Sequence, residues 1–133
     1  MSITDPIADM IVKLKNASMV FKESVDVPFS RMTQSILDIL KREHYITDIK
    51  PLEAEGSHRC LRVYLKYYAP KEPALTGIQR RSKPGLRVYS RYKDMPFVLR
   101  GKGLAVVSTS KGLMTNKDAR SQKIGGEVLF YIW

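Results

Sequence analysis

The sequence predicts an α+β fold of two packed subdomains, an N-terminal α-β-α-β-β unit and a mainly antiparallel β unit with one short helix. Apolar residues recur at helical spacing twice before residue 43, whereas strand-like segments dominate later. The proline- and glycine-containing stretch "APKEPALTG" separates the two patterns. We therefore expect an N-terminal subdomain over 1–70, a linker over 71–78 and a C-terminal subdomain over 79–133. Each part is near the lower size limit for independent stability, so we expect the two to pack together.

Two amphipathic helices are predicted in the N-terminal part. Thr4 or Asp5 can cap the first helix, and Pro6 suits its first position because the missing N–H would be unpaired there. One stripe of this helix is apolar: Ile7, Met10, Ile11 and Leu14. "SVDVPF" reads as a short edge strand, and Ser30 caps a second helix ending in "KR". Its predicted inward residues are Met32, Ile36, Ile39 and Leu40.

The remaining segments predict strands. "YITDIKPL", the polar turn "EAEGSH" and the alternating "CLRVYLKYY" form a strand pair, with Leu61, Val63, Leu65 and Tyr67 facing the core. Further strands are expected at "LRVYSRY", "PFVLR", "LAVVS" and "EVLFYIW". Thr115 and Asp118 have capping-box spacing for a short helix, "NKDARSQK", which Gly125 and Gly126 would stop.

Charge is the strongest compositional signal. The net charge is +10 and the sequence pI is about 9.8, which implies attraction to nucleic acid or to an anionic membrane surface. Residues 71–133 hold 13 basic and 4 acidic side chains, so the C-terminal part should face the partner. We expect no membrane span and no secretory signal, because long apolar runs are missing. A single cysteine and two histidines argue against a disulfide or zinc site, and we expect no metal or other cofactor.

A basic and aromatic segment is the first candidate for binding. In "RRSKPGLRVYSRYK", six cations are interleaved with Tyr89 and Tyr92 around a Pro84-Gly85 turn. Cations neutralise phosphates, and aromatic rings offer faces on which exposed bases stack. A solvated hairpin with half-buried tyrosines is the alternative. The lack of acidic residues between 80 and 93 favours binding.

A hydroxyl-rich segment, "VVSTSKGLMT", is the second candidate. Its hydroxyls could meet phosphates, ribose hydroxyls and base edges, or could merely satisfy the end of a strand. Ser108 and Lys111 also have the S-x-x-K spacing of penicillin-recognising hydrolases, but the S-D-N and K-T-G segments of those enzymes do not occur. Phosphate-binding glycine loops of the G-x-x-x-x-G-K-[ST] type are missing too. A serine/lysine hydrolase is therefore a minor alternative, and we expect no enzyme.

Four ordered segments resemble a known family. "TDPIADMIVKLKNA", "RRSKPGLRVYSRY", "STSKGLMTNKDAR" and "GGEVLFYIW" look like the bacterial form of the eighth protein of the small ribosomal subunit, essentially end to end. The resemblance implies direct binding to a helical region in the central domain of small-subunit rRNA, early in assembly. Most RNA contact would come from the C-terminal unit. Lys102, between two glycines, and Phe130 depart from the residues common in the family.

The resemblance also implies the site residues. The family's hydroxyl loop corresponds to Ser108, Thr109, Ser110, Lys111 and Gly112, and its proline-glycine turn to Ser82, Lys83, Pro84, Gly85 and Arg87. Gly125, Gly126 and Glu127 would lie next to that loop at the RNA. From the basic and aromatic segment we add Tyr89. A secondary rRNA contact is predicted near the N-terminus, at Thr4, Asp5, Lys13 and Asn16, although a solvated helix end explains Lys13 equally well.

The predicted function is thus that of a non-enzymatic rRNA-binding constituent of the small ribosomal subunit. Its expected partners are central-domain rRNA and neighbouring small-subunit ribosomal proteins, with no membrane and no small-molecule substrate. Some members of the family also repress translation of their own operon through an rRNA-like mRNA site, so that mRNA is a further candidate partner. A free mRNA-binding regulator is the alternative. The expected location is the ribosome of the bacterial cytoplasm, and an organelle-encoded copy would have a similar sequence.

Overall fold

The computed structural model describes residues 5–53 and 59–133. Thr4 and residues 54–58, which include most of the predicted polar turn, lie outside the described residues. The chain divides between Thr76 and Gly77 into two units, and the fold is α+β, as predicted. The first unit contains α1 (Pro6–Met19), β1 (Ser24–Pro28), α2 (Arg31–Arg42), β2 (Ile46–Glu53), β3 (Arg59–Leu65), β4 (Tyr67–Ala69) and β5 (Glu72–Pro73).

The first helix, α1, begins as predicted. The Asp5 side chain accepts a hydrogen bond from the backbone N–H of Ala8 at 3.2 Å, and Pro6 occupies the first helical position. All four residues of the predicted apolar stripe are buried. Burying this stripe supplies the hydrophobic free energy that keeps a helix of this length stable in the fold.

The second helix, α2, has the predicted Ser30 cap but a different inward face. Ile36, Ile39 and Leu40 are buried, whereas Met32 is 41% exposed, so that assignment was wrong. Thr33 and Leu37 are buried instead. The Thr33 side chain accepts a hydrogen bond from the Ser30 backbone N–H at 2.8 Å in a capping box, which allows a polar residue to lie inward there.

The sheet of the first unit is antiparallel, in the order β1-β3-β2. Leu61, Val63 and Leu65 of β3 are buried, as predicted. The strand ends at Leu65, so Tyr67 belongs to the separate β4–β5 hairpin. Tyr67 is only partly buried, and its hydroxyl donates a hydrogen bond to the Lys22 carbonyl oxygen at 2.5 Å.

An ion pair joins the two strands β1 and β3. Arg62 donates two hydrogen bonds to the Asp26 carboxylate, at 2.9 and 3.2 Å, and these bonds hold the pKa of Asp26 below its usual value of 3.8. Because the folded state has the lower pKa, the pair stabilises the fold above pH about 4 and stops doing so as the pH falls through the folded pKa.

A pH-dependent contribution to stability should therefore come from this pair. At neutral pH, Asp26→Asn is expected to unfold at a slightly lower urea concentration than the wild type, and the difference should vanish below the folded pKa. Urea titrations at neutral and strongly acidic pH measure it. The effect should be small because both side chains are largely exposed. A difference that persisted unchanged in strong acid would contradict this assignment.

The segment predicted as a linker, 71–78, is partly built into the folded units. Its first residues include β5, and Ala74 and Leu75 are buried. The Ala74 N–H donates to the Lys66 carbonyl at 2.9 Å, and the Ser18 hydroxyl donates to the Leu75 carbonyl at 2.8 Å. These bonds attach the segment to the first unit as far as Leu75. The proline and glycine content indicated a boundary region but did not show which of the two units this segment would pack against.

The second unit, Gly77–Trp133, is built on an antiparallel sheet in the order β6-β10-β8-β9, with β7 also paired to β10. Its elements are β6 (Ile78–Arg80), β7 (Tyr89–Ser90), β8 (Leu104–Thr109), β9 (Gly112–Thr115), α3 (Asn116–Ser121) and β10 (Gly126–Ile132), with 3₁₀ turns at Tyr92–Asp94 and Leu99–Gly101. Gly77 and Trp133 exchange two backbone hydrogen bonds of 2.9 Å, which hold the ends of the unit together.

Two strand predictions in this unit were wrong in extent or type. The segment "LRVYSRY" contains only the two-residue strand β7 and the start of a 3₁₀ turn. The segment "PFVLR" forms no strand, because Leu99, Arg100 and Gly101 all have positive φ, at 45°, 54° and 87°. Extended strands require negative φ, so this backbone turns instead.

The helix α3 begins as predicted but is shorter than the predicted segment. The Asp118 N–H donates to the Thr115 hydroxyl at 3.1 Å, as the capping-box spacing predicted, but the helix ends at Ser121, before Gly125. One face of the sheet joins a compact apolar cluster: Met95, Val98, Ala105, Val107, Met114, Ala119 and Val128. This cluster fixes the strand register, because a one-residue slip would turn its side chains to the other face.

Candidate nucleic-acid interface

Glu127 is the centre of the predicted site. The Ser82 hydroxyl donates a hydrogen bond to its carboxylate, and Arg87 donates another at 3.1 Å. In the sheet register Glu127 lies opposite Ser108 of β8 and opposite Tyr89 of β7. The structure thus brings together Ser82, Arg87, Tyr89, Ser108 and Glu127, although they are as much as 45 positions apart in the chain.

Ser82 has a structural position within this cluster. Its side chain is buried, with 1% exposure, and its hydroxyl oxygen accepts a hydrogen bond from the Val88 N–H at 3.2 Å. The same hydroxyl donates to Glu127, so both of its hydrogen-bonding roles are used. Ser82 therefore holds the ends of the proline-glycine turn against β10 and is too buried to contact a ligand itself.

The proline-glycine turn is closed and exposed. Lys83 and Leu86 exchange two backbone hydrogen bonds of 3.0 Å, with Pro84 and Gly85 between them at the tip. A Cβ on Gly85 would have nothing within 4 Å, and its φ is not positive. The fold of this chain alone therefore does not demand glycine at position 85.

The hydroxyl loop is the tip of the hairpin formed by β8 and β9. The Thr109 hydroxyl donates to the Gly112 carbonyl at 2.7 Å and accepts from the Lys111 N–H at 3.1 Å. Gly112 has a φ of 104°, a conformation that favours glycine. Thr109 and Gly112 thus shape the turn, while Ser110 and Lys111 form its exposed two-residue tip.

Ser108 and Ser110 differ from Thr109 in their hydrogen bonding. Within residues 5–53 and 59–133, neither of their hydroxyls has a hydrogen-bond partner, and Ser110 is exposed. A hydroxyl can donate one hydrogen bond and accept two. These two groups therefore remain available to a ligand, whereas the sequence offered no means of separating them from Thr109.

Two glycines allow the strands to approach one another at this point. A Cβ on Gly126 would overlap the Ser108 carbonyl oxygen, and one on Gly125 would lie 2.6 Å from the Ser90 carbonyl oxygen. Both neighbours are backbone atoms of paired strands and cannot move aside without disturbing the sheet. The glycines consequently position Ser108 and Glu127, and need not touch a ligand themselves.

Most cations of the basic and aromatic segment already have partners. Arg87 pairs with Glu127, Arg91 pairs with Asp94 at 3.0 Å, and Arg80 donates to the Ser82 carbonyl at 2.6 Å. Arg81 stacks on the Tyr131 ring at 5.2 Å. Both acidic partners lie outside the 80–93 segment in sequence, which is why the sequence made the segment look unneutralised. Lys83 is exposed and has no ion-pair partner within the described parts of the chain.

Of the predicted secondary residues, Asp5, Lys13 and Asn16 lie on or beside α1, and Thr4 is outside the described residues. Asp5 caps the helix, and Lys13 forms an ion pair with Asp9 at 3.1 Å. Asn16 is exposed, and its carbonyl accepts a hydrogen bond from the Val20 N–H. The roles of Asp5 and Lys13 in the helix itself account for these two residues without a ligand.

The geometry does not favour serine/lysine catalysis. An S-x-x-K pair works on a helix, where residues three apart share a face. Here Ser108 lies on a strand and Lys111 on the following turn. Among the described residues no cluster of three metal-ligating side chains occurs, and no helix is long and apolar enough to cross a membrane.

Comparison with known proteins agrees with this architecture. Residues 5–133 match the family described as Ribosomal protein S8. Similar curated proteins include "Small ribosomal subunit protein uS8" of Exiguobacterium sibiricum, with 52% identity, and the protein of that name from Bacillus cereus strain B4264, with 50% identity. Both comparisons extend over 133 residues, the whole of each chain. From this match, the chain belongs to the ribosomal protein S8 family.

Proposed function

We propose that this chain binds a helical region in the central domain of small-subunit rRNA through its second unit. The observation that carries the proposal is the arrangement around β8 and β10. At the end of one hairpin lie two serine hydroxyls that have no partner among the residues the structure describes, beside a Ser82–Glu127–Arg87 network that fixes the neighbouring turn. Such a rigid polar surface supports discrimination between RNA shapes, because its donors and acceptors are already in place.

The second unit's charge supplies the general attraction. Its excess of basic residues neutralises phosphates and makes affinity depend on salt, but gives no preference for one RNA. Ser108 and Ser110 would add that preference by contacting 2′-hydroxyls and base edges of an irregular helix. Tyr89, which is 71% exposed, offers a ring on which an unstacked base could lie.

Within the cell, the proposal places the chain in the small subunit of the cytoplasmic ribosome. There it would organise rRNA during assembly and contact neighbouring ribosomal proteins. The chain is a member of a ribosomal structural family and not an enzyme. An mRNA site that imitates the rRNA helix would fit the same surface, so repression of its own operon remains part of the proposal.

Equilibrium binding tests this function. The purified protein is titrated with a central-domain rRNA fragment and with a perfectly paired hairpin of equal length, at several salt concentrations. We expect tighter binding to the fragment, with the preference retained as salt rises. Equal and steeply salt-dependent binding to both RNAs would contradict a specific site, since charge alone produces that behaviour.

The hydroxyl of Ser110 should contribute to this preference. Ser110→Ala is expected to weaken binding of the rRNA fragment by about 0.5–1.5 kcal/mol, the usual contribution of one hydrogen bond. Stability should not change, because the hydroxyl has no partner in the described part of the protein. Ser121→Ala, at an exposed position of α3, serves as the matched control. Unchanged binding by Ser110→Ala would remove this serine from the interface.

Lys83 should contribute to affinity without selecting the RNA. Lys83→Ala is expected to weaken binding to the fragment and to the paired hairpin alike, and to reduce the salt slope by about one unit. Lys22→Ala, in the first unit, provides a control with the same loss of charge. A loss confined to the rRNA fragment would instead assign Lys83 a role in recognition.

A further inference from the structure

A second basic and aromatic surface lies on the second unit, around the 3₁₀ turn that precedes β8. We define the Phe97 patch as Phe97, Leu99, Arg100, Lys102, Lys117 and Arg120. Phe97 is 70% exposed and Leu99 is 52% exposed. The two residues are two positions apart in the chain, and neighbouring exposed apolar residues bordered by polar groups mark interaction surfaces.

Arg120 holds the aromatic ring in place. Its guanidinium lies 5.3 Å from the centre of the Phe97 ring and donates a hydrogen bond to the Met95 carbonyl at 2.7 Å. One guanidinium group thus both bonds to the backbone and contacts the ring, which orders an exposed ring at little further entropic cost on binding. The arrangement resembles a stacking platform more than a solvated side chain.

Three more basic residues belong to the patch. Arg100, Lys102 and Lys117 are exposed, and Lys117 reaches the Gly101 carbonyl at 3.5 Å. The nearest acidic residues in sequence, Asp94 and Asp118, already have partners, and the former is paired with Arg91. Phosphate groups close to the ring would therefore meet three cations for which the described residues provide no ion pair.

The loop that carries the patch is held in an unfavourable conformation. Leu99 and Arg100 have φ values of 45° and 54°, which cost about 1–2 kcal/mol for each such residue. The loop keeps this shape through backbone hydrogen bonds from Gly101 and Gly103 to Val98, of 3.0 and 3.1 Å. Strained residues of this kind cluster at functional sites, ligand-binding loops among them.

The patch lies at the opposite end of the hairpin from the hydroxyl loop. Lys102 precedes β8 and Lys117 follows β9, whereas Ser110 is at the tip between these strands. The six residues of β8 span about 17 Å. An RNA helix that binds at the Ser110 tip would therefore not need to cover Phe97.

We propose that the Phe97 patch binds a second, single-stranded RNA segment, with a base stacked on Phe97 and its phosphates against the surrounding cations. Exposed aromatic residues with adjacent arginine and lysine are typical of single-strand binding, which depends little on base sequence. An acidic protein segment would also be attracted by the charges. An acidic segment would gain little from an exposed aromatic ring that already contacts a guanidinium, whereas a base can stack on that ring. We therefore favour RNA.

A titration on the RNA-loaded protein tests the proposal. The protein is first saturated with the unlabelled rRNA fragment, and a labelled, short single-stranded polyuridine is then added while its fluorescence anisotropy is measured. We expect binding to persist on the loaded protein. Phe97→Leu, which removes the ring at an exposed position, should weaken it by about tenfold, within the range for loss of one stacked base.

A matched variant separates this surface from the first interface. Tyr89→Leu removes a ring of equal exposure from the interface around Glu127. This variant should weaken binding of the rRNA fragment and leave polyuridine binding to the loaded protein unchanged. The proposal is overturned if the loaded protein does not bind polyuridine, or if Phe97→Leu binds it as tightly as the wild type. The same variants titrated without the fragment test the patch even where the fragment itself fails to bind.

Discussion

Replacing Phe130 by alanine is expected to lower the free energy of unfolding by about 3–5 kcal/mol, the cost of removing a large aromatic side chain from a packed interior. Phe130 is completely buried, and it is the largest fully buried side chain in the part of the chain that the structure describes. It lies on β10 between Arg80 of β6 and Val106 of β8, at the centre of the sheet. The surrounding core would relax only partly into the cavity left behind, because pairing on both sides holds the β10 backbone in place.

Urea unfolding measures this loss. The midpoint should fall while the dependence on urea concentration stays the same, since the surface exposed on unfolding hardly changes. Phe130→Leu should lose less, because it leaves a smaller cavity. Leu86→Ala, at a position that is 68% exposed, provides the exposed control and should shift stability by no more than about 0.5 kcal/mol. A Phe130→Ala protein as stable as that control would show that the burial of this ring contributes little.

In the first unit, the sequence predicted well those features that depend on residues within one helical turn. Pro6 and Asp5 determine the beginning of α1 by chemistry confined to one turn, so the helix and its apolar stripe follow. In α2 the same rule failed at Met32, because the buried face includes Thr33. A buried threonine was not expected, because its hydroxyl needs hydrogen-bond partners there. Ser30 provides them, and the spacing of the two residues only partly shows this.

In the second unit, the spacing of residues in the sequence did not show where the backbone turns. The segment 96–100 has strand-like composition, yet its backbone turns at Leu99 and Arg100. Positive φ at such residues arises from the surrounding structure and has no sequence signal. Phe97 was therefore assigned to a strand, and its exposure was missed.

The sequence named residues for the candidate site but did not show how their side chains contact one another. Ser108, Thr109 and Ser110 formed one cluster in sequence, but Thr109 completes the turn while the other two hydroxyls stay without partners among the described residues. Glu127 pairs with Ser82 and Arg87 across strands. Contacts between distant parts of a chain cannot be read from spacing, so that network required the fold.

Gly126→Ala is expected to have the second largest effect, lowering the free energy of unfolding by about 2–3 kcal/mol, the upper part of the range for overpacking. The new methyl group would overlap the Ser108 carbonyl oxygen, and that backbone is fixed by pairing with both neighbouring strands. Relief requires β8 and β10 to separate where Ser108 faces Glu127. Affinity for the rRNA fragment should consequently fall along with stability.

Gly85→Ala is the control that separates the two effects. A Cβ there meets nothing within 4 Å and the φ is not positive, so stability should stay the same or rise by about 0.4–1 kcal/mol through a stiffer unfolded chain. If Gly85→Ala nevertheless binds the rRNA fragment less tightly, the RNA must approach the backbone at that turn. Urea unfolding and fragment titration of both variants measure the two quantities. Wild-type stability in Gly126→Ala would show that the strands are not held as closely as the structure has them.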